Sequence, residues 1–526
     1  MFYRTCLQST AALASISLLA GCGLFAGDEG GDDQKITVGT TSEPTTLDPA
    51  AAWDGSWELY RNVYQTLLSF PTGSTMPQPD AAQRCEFTDT ASKKYECTLK
   101  PGLLFSNGEK LNAQAVKHSI TRVQRIASKD GPSGLLSSLG SVEIDGELKV
   151  KFFLKTSDAT FPFILATPAT SLVAPLKYPI DKLRSDGGVT GSGPYKLTSY
   201  TKNLKAELVK NGSYRGYAKM KNSAITIRYY RDSEIMVGAL KRKKIDATFR
   251  GLTAKDVEAF QKKLPQDSGL QVIETVGADI RYLVFNPKDP VARKLSVRKA
   301  VAQIIDRGAL IEKVYQSTAE PLYSMIPRGI AGHTTKFFDI YGEPSVAKAK
   351  KLLRDDGITK KVNLTLWYST DRYGSVTGQE FAEIKAQLEA SGLFKVTIDG
   401  EPEAEFRKGY QAQKYPVFGR GWFPDFPDPD NFIFPFVGES NVLFTPYVNS
   451  KITGELLTSS RKETNRGAVS KQFEEAQEII AQDARLLPLW QGKIYIAASR
   501  EIGGGERALD PQAIMQMWEL YRKASW

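Results

Sequence analysis

Apolar and polar positions alternate along KITVGT (35–40), so Ile36, Val38 and Thr40 would share one side of a half-buried strand. The run ends in the turn-forming Ser42-Glu43-Pro44. The period then lengthens: Trp57, Tyr60, Val63 or Tyr64, and Leu67 predict a helix over 57–68. Ala115, His118 or Ser119, and Arg122 predict another over 112–126. Around them 95–99, 142–144 and 149–154 read as short strands with tight turns, an α+β region. The second half is more regular. Residues 282–285 predict a strand, and 296–315 a helix with Val297, Val301, Ile304, Ile305 and Val314 on one face. Strands at 362–367 and 394–398 flank a helix at 379–390 that carries Phe381, Ile384 and Leu388 and is stopped by Gly392. Strand, helix and strand within roughly 40 residues form a βαβ unit, whose strands run parallel with a right-handed crossover. Such sheets bind ligands beyond the carboxyl ends of the strands, here the loop 368–378 and the turn Asp399-Gly400. The expected class is α/β, with a mixed α+β portion in the first half and no internal repeat.

Composition narrows the choice. At about 150 residues per domain, 526 residues suggest about three units. The 41% hydrophobic and 10% aromatic content excludes wholesale disorder. Two histidines far apart, His118 and His333, leave no His-rich metal site, and a catalytic triad would have to use one of them. A net charge of +10 admits nucleic acid or an anionic surface.

The first residues decide between these. Arg4 precedes an Ala-, Leu-, Ile- and Ser-rich run over 11–20, too short to span a bilayer, which takes about 20 residues, but suited to an export signal. The run ends in LLAGC, similar to the bacterial lipobox, in which Cys22 is acylated and becomes the mature N-terminus; an ordinary signal with an incidental Cys is the alternative. GLFAGDEGGDDQ then reads as a flexible tether, so the expectation is a globular protein lipid-anchored at the outer face of the cell membrane. No later stretch has 18 consecutive apolar residues. With Cys6 removed and Cys22 lipidated, Cys85 and Cys97 remain, in two strand-like runs joined by a turn. Outside the cytoplasm they are expected as a disulfide, with two buried thiols as the alternative.

RGWFPDFPDPDNFIFPF (420–436) carries three carboxylates, Asp425, Asp428 and Asp430, among prolines and aromatics. Prolines stiffen the backbone, Trp422, Phe423 and Phe426 offer rigid contact surface, and a carboxylate among them suits a cationic ligand group. A Pro-rich surface loop whose aromatics fill the core fits the composition equally.

Six strings in order carry a resemblance: SEPTTLDPA, LYRNVYQTLL, CTLKPGLLFSNGEKLNAQAVKHSITR, TGSGPYKL, YLVFN with VRKAVAQIIDR, and GWFPDFPDPDNF. Together they resemble the peptide/nickel class of ABC-transporter substrate-binding proteins, the dipeptide- and oligopeptide-binding lipoproteins. The resemblance implies a two-lobed clamp with two interlobe crossovers. It divides the chain into a signal at 1–21, a tether at 22–35, a first lobe at 36–276 and 491–526 with a subdomain near 70–190, and a second lobe at 277–490. It implies that Asp425 pairs with a ligand's α-amino group and that Trp422 and Phe423 line the same pocket. Thr41, Ser42 and Glu43 would face the cleft from the first lobe, and Tyr368, Arg372 and Tyr373 from the second. Glu403 stands where the family often has an aromatic. No residue is evident for a peptide's carboxylate, Arg372 and Arg420 being candidates by charge and place alone. The implied protein is a monomer that delivers peptide to permease and ATPase subunits, with no cofactor, resident metal or nucleic acid. A nickel chelate, haem, opine or oligosaccharide could replace the peptide, and a ligand-sensing lipoprotein could use the same clamp.

Other motifs point elsewhere only weakly. GVTGSGP (188–194) lacks the Gly-Lys-Ser/Thr of a phosphate loop and reads as a turn into a strand. The run Lys241-Arg242-Lys243-Lys244 reads as a solvated helix end. His118 reads as a packing residue and His333 as a loop residue, its approach to the cleft being the lesser alternative. A hydrolase using Asp425 and Asp428 is disfavoured, because three-residue spacing on a Pro-rich turn does not set two carboxylates across one bond. The expectation is binding without catalysis.

Overall fold

The structure, a computed structural model, describes residues 35–263, 269–374 and 376–524. Cys22, the signal and the tether before Lys35 lie outside them.

The largest sheet runs across the whole molecule. Its order is Phe394–Glu401, Val362–Ser369, Val417–Trp422, Leu270–Phe285, Leu486–Ser499, Ala247–Thr248, Lys35–Thr40, Ala224–Tyr229, Lys205–Lys210 and Tyr195–Thr201, with Ala319–Pro321 also beside Leu486–Ser499. Two long antiparallel strands, Leu270–Phe285 and Leu486–Ser499, cross between its halves. Val276 and Ile280 bracket an irregularity in their register. There Gly277 lies so close to the partner strand that a Cβ would sit 2.5 Å from the Gly492 carbonyl, so the crossing needs a residue without one.

Each half has its own core. Beyond the crossing, Leu283, Phe285, Val301, Ile384 and Phe418 belong to one buried cluster. Before it, Ile36, Val38, Ile225 and Ile227 pack with Met517 and Trp518 from the C-terminal tail. A third cluster lies under an antiparallel sheet ordered Ala82–Phe87, Lys94–Leu99, Lys149–Leu154 and Leu139–Asp145. Helix Ala113–Ile126 covers that sheet. Asn112 caps it by accepting from the Ala115 amide, and Ala127 ends it in a left-handed conformation. Cys85 and Cys97 are cross-strand partners in this sheet and form a disulfide.

The βαβ unit is present: Val362–Ser369 and Phe394–Glu401 pair in parallel, with Thr377–Ala390 as the crossover. Two predicted helices differ in extent. The first stops at Val63 because the chain turns extended at Tyr64. The second breaks once, into Leu295–Ile304 and Arg307–Leu310, the latter running on as a π-helical turn over Ile311–Tyr315, because Ile305 is extended and Asp306 caps a new helix on the Ala309 amide. The strand predicted at 282–285 is sixteen residues long, starting at Leu270.

Candidate functional site

Strand Val417–Trp422 pairs with the crossing strand, Trp422 opposite Ile280, and delivers the Pro-rich segment to the junction between the halves. Of its three carboxylates, two are already neutralised. Asp428 receives both arms of Arg466 at 2.7 and 2.8 Å, and Asp430 both arms of Arg461 at 2.9 and 2.7 Å. Asp425 has only neutral donors: Trp53 Nε1 at 2.8 Å on one oxygen and Asn431 Nδ2 at 2.9 Å on the other. Burial pushes its carboxyl up to about 7, against the pull of Asn431 and Trp53. It is therefore a buried carboxylate in no ion pair among the described residues.

The surroundings fix its position. The Asn431 side-chain oxygen Oδ1 accepts from the Asp425 amide at 2.9 Å and from Trp422 Nε1 at 3.1 Å. Gln512 donates to the Asp425 carbonyl and is itself held by Arg61 at 2.7 Å. Trp53, Arg61 and Gln512 belong to the first half and Asp425 to the second, so the carboxyl sits where the halves meet. Phe426 continues the seam, packing on Phe163 at 6.0 Å between ring centres.

The expected site residues divide. Phe423 is 44% exposed and stacks on Tyr373. The Arg281 guanidinium lies 4.4 Å from the Tyr373 ring and 5.1 Å from that of Phe423. Arg372 is half-exposed and lies 3.7 Å from Glu403. Arg420 is no surface arginine: its guanidinium lies 4.4 Å over Tyr410 and two of its nitrogens are buried. Trp422 packs edge-on against Phe436 and serves the site through Asn431. Thr41 abuts Gly251, and Ser42 abuts Gly55.

Two expected residues are not brought in. Glu43 turns back within the first half, accepting from Tyr200 at 2.8 Å and the Asn203 amide at 2.6 Å. Tyr368 stacks on Phe381 at 4.9 Å, so its ring packs beneath helix Thr377–Ala390. His333 is bonded to the Ile326 carbonyl and His118 to that of Tyr178, both at 2.7 Å. An open crevice of about 530 Å³ lined by Glu258, Lys262, Glu312 and Gln316 shares no residue with the Asp425 group.

Trp53, Arg281, Asn431 and Gln512 were not picked out from the sequence. Arg281 left a signal: a charged residue inside the otherwise apolar strand IRYLVF.

Comparison with known proteins agrees with this architecture. The family described as bacterial extracellular solute-binding proteins, family 5 Middle, matches residues 76–444. The Escherichia coli K12 protein described as "Probable D,D-dipeptide-binding periplasmic protein DdpA" is 25% identical over 485 residues, covering 89% of this chain and 90% of its own. HbpA2 from Haemophilus parasuis superposes with a TM-score of 0.80 at 20% identity, over 93% of this chain and 100% of that one. The periplasmic binding protein DppA from Helicobacter pylori, solved with the peptide STSA, gives 0.76 at 21% identity, over 93% and 98%. Among the described residues no helix is long and apolar enough to cross a membrane. The chain belongs to family 5 of the bacterial extracellular solute-binding proteins, the peptide- and nickel-class substrate-binding components of ABC transporters, which bind solutes outside the cytoplasm and are not enzymes.

Proposed function

We propose that the protein captures short peptides by their free α-amino end and hands them to an ABC permease powered by separate ATPase subunits. The observation that carries this is Asp425, a buried carboxylate with neutral neighbours only. A carboxylate in that setting gains most from an incoming ammonium, which supplies both charge and hydrogen bonds. Phe423, two residues before it, and the half-exposed Trp53 bonded to it offer apolar surface, and Arg372 is the candidate partner for the peptide's carboxylate. The relatives support the ligand class: one is described as a "Probable D,D-dipeptide-binding periplasmic protein" and another was solved with a peptide. In this reading the first lobe comprises 36–276 and 491–526 and the second 277–490, Cys22 carries the lipid anchor, and the protein acts as a monomer.

Isothermal titration with free and N-acetylated alanine peptides tests the assignment. Asp425→Ala should weaken free peptides by about 30-fold or more, the effect of removing one partner of a buried charge pair. Acetylation should cost the wild type as much. Equal affinity for acetylated and free peptides would remove Asp425 from its role.

A further inference from the structure

The sheet edge at which the described chain begins gathers lysines from four separate segments. Lys35 opens the first strand, with Ala224 beside it in parallel register. On its other side Ala247–Thr248 also runs parallel, so the residues just before Ala247 reach the same edge. Asp246 ties them in: its amide donates to the Thr37 carbonyl at 2.8 Å and its carboxylate accepts from the Thr37 amide at 2.7 Å. Lys210 arrives on the antiparallel strand Lys205–Lys210, its amide donating to the Ser223 carbonyl at 3.0 Å. The C-terminal tail brings Arg522, whose Nε donates to the Lys35 carbonyl at 3.1 Å, and Lys523 after it.

The nearby carboxylates are already engaged. Asp246 pairs with Arg522 at 2.9 Å and Glu501 lies 4.0 Å from the same arginine. Glu519 pairs with Lys221 at 2.5 Å, and Glu207 with Lys205 at 2.7 Å. Lys35, Lys210, Lys243, Lys244 and Lys523 are exposed and in no ion pair among the described residues. Exposed charge is ordinary, but the backbone at Lys243 is not. Helix Ser233–Lys241 ends in a Schellman motif, the Lys243 amide donating to the Leu240 carbonyl and the Lys244 amide to the Ala239 carbonyl, both at 2.9 Å. Lys243 therefore sits at φ 54°, the left-handed position that glycine takes most readily. A lysine there keeps its charge at the expense of the helix end.

The place of this edge in the chain supplies the partner. Lys35 follows Cys22 by thirteen residues, so the two Cα atoms are at most about 47 Å apart. An acyl chain on Cys22 would keep the edge within that reach of a bilayer. A lipid anchor joined to a basic cluster is a two-signal attachment, in which each lysine near an anionic surface adds to the binding. We propose that this lysine edge docks on anionic phospholipid headgroups and holds the first half of the protein down on the membrane. The inference rests on the Cys22 reading only for placing the bilayer within reach. A competing occupant is the tether, with its carboxylates Asp28, Glu29, Asp32 and Asp33. The bilayer is favoured because its charge is spread over a plane and meets lysines from four segments at once.

The test uses the unacylated chain from Gly23, which keeps the tether and every described residue, in co-sedimentation with vesicles. It should bind phosphatidylcholine vesicles containing about 30% phosphatidylglycerol at about 0.1 M salt, release at about 0.5 M, and ignore phosphatidylcholine alone. Lys243→Gly with Lys244→Gln should weaken binding about tenfold or more. Lys360→Gln with Lys361→Gln, an equal loss of exposed charge in the second half, should leave it unchanged. Lys243→Gly alone should melt at or above the wild-type temperature while binding less, which separates the charge from any structural part it plays. No binding to the anionic vesicles, or equal weakening by the two pairs of substitutions, overturns the proposal. Binding that appears only once Asp28, Glu29, Asp32 and Asp33 are changed to their amides gives the edge to the tether and overturns it too. Mass spectrometry of the cell-derived protein keeps the two readings apart. Unacylated Cys22 with the vesicle results intact removes the anchor and leaves the docking edge, whereas acylated Cys22 without vesicle binding removes the edge and leaves the anchor.

Discussion

Asp428 and Asp430 each face an arginine fork, while Asp425, three residues before the first of them, faces an indole and an amide. That difference decides which carboxylate can act on a ligand. Moving the carboxyl from 3.8 to about 7 costs its ionised form about 4 kcal/mol. Between those values the folded protein holds a proton that the unfolded chain has released, so the stability of the empty protein falls as pH rises through the window. Asp425→Asn has no such titration. Its empty form should melt above the wild type beyond about pH 7, and the two should converge below about pH 4. An ammonium ligand needs the carboxylate, so the affinity of free peptides should drop by up to about tenfold per pH unit below about pH 7. Titration calorimetry giving a flat affinity between about pH 5 and pH 8 would refute this. Prolines and aromatics marked out the segment with its three carboxylates, and the family resemblance alone pointed to Asp425 among them. Neither could show Trp53, which meets Asp425 across 372 positions with no local pattern to link them. Glu43 is the complementary case: the turn after the first strand was legible, but not the Tyr200 hydroxyl and Asn203 amide that hold its carboxylate within the first half.

At the scale of elements, periodicity carried the regular pieces and missed their interruptions. The apolar face of 296–315 continues through the break at Ile305, because both short helices pack on the same core and the face does not record a turn between them. Asp306, the capping residue, was the available sign. The Pro-rich segment is not a regular element, and its shape comes from ion pairs. The side chains of Arg466 and Asp428 are 4% and 1% exposed. Arg466→Met should leave Asp428 buried and unpaired and cost about 3–5 kcal/mol in denaturant-induced unfolding. Adding Asp428→Asn should restore most of that, since the expensive species is the lone charge rather than the missing pair. If the double variant were as unstable as the single, the arginine would be contributing packing instead of charge.

For the whole molecule, the two crossing strands turn a local protonation into a question of shape. The halves meet through Trp53 on Asp425, Gln512 on the Asp425 carbonyl, and Phe426 on Phe163. Parting them would remove the Trp53 bond and let water reach the carboxyl, returning it toward the ordinary 3.8. The closed form then binds the proton more tightly than the open form, so lowering the pH from above 7 toward 4 favours closure in the empty protein, by up to about tenfold per pH unit. In the proposed reading a ligand ammonium replaces that proton: it neutralises the same carboxylate and favours the same form, and the two exclude each other. Small-angle scattering of the empty wild type should therefore give a larger radius of gyration at about pH 8 than at about pH 6, whereas Asp425→Asn should be compact at both. A peptide that binds should compact the wild type at the higher pH. Equal radii for the empty wild type at both values, with peptide still compacting it, would mean that closure is driven by the apolar seam at Phe426 and owes nothing to the charge on Asp425.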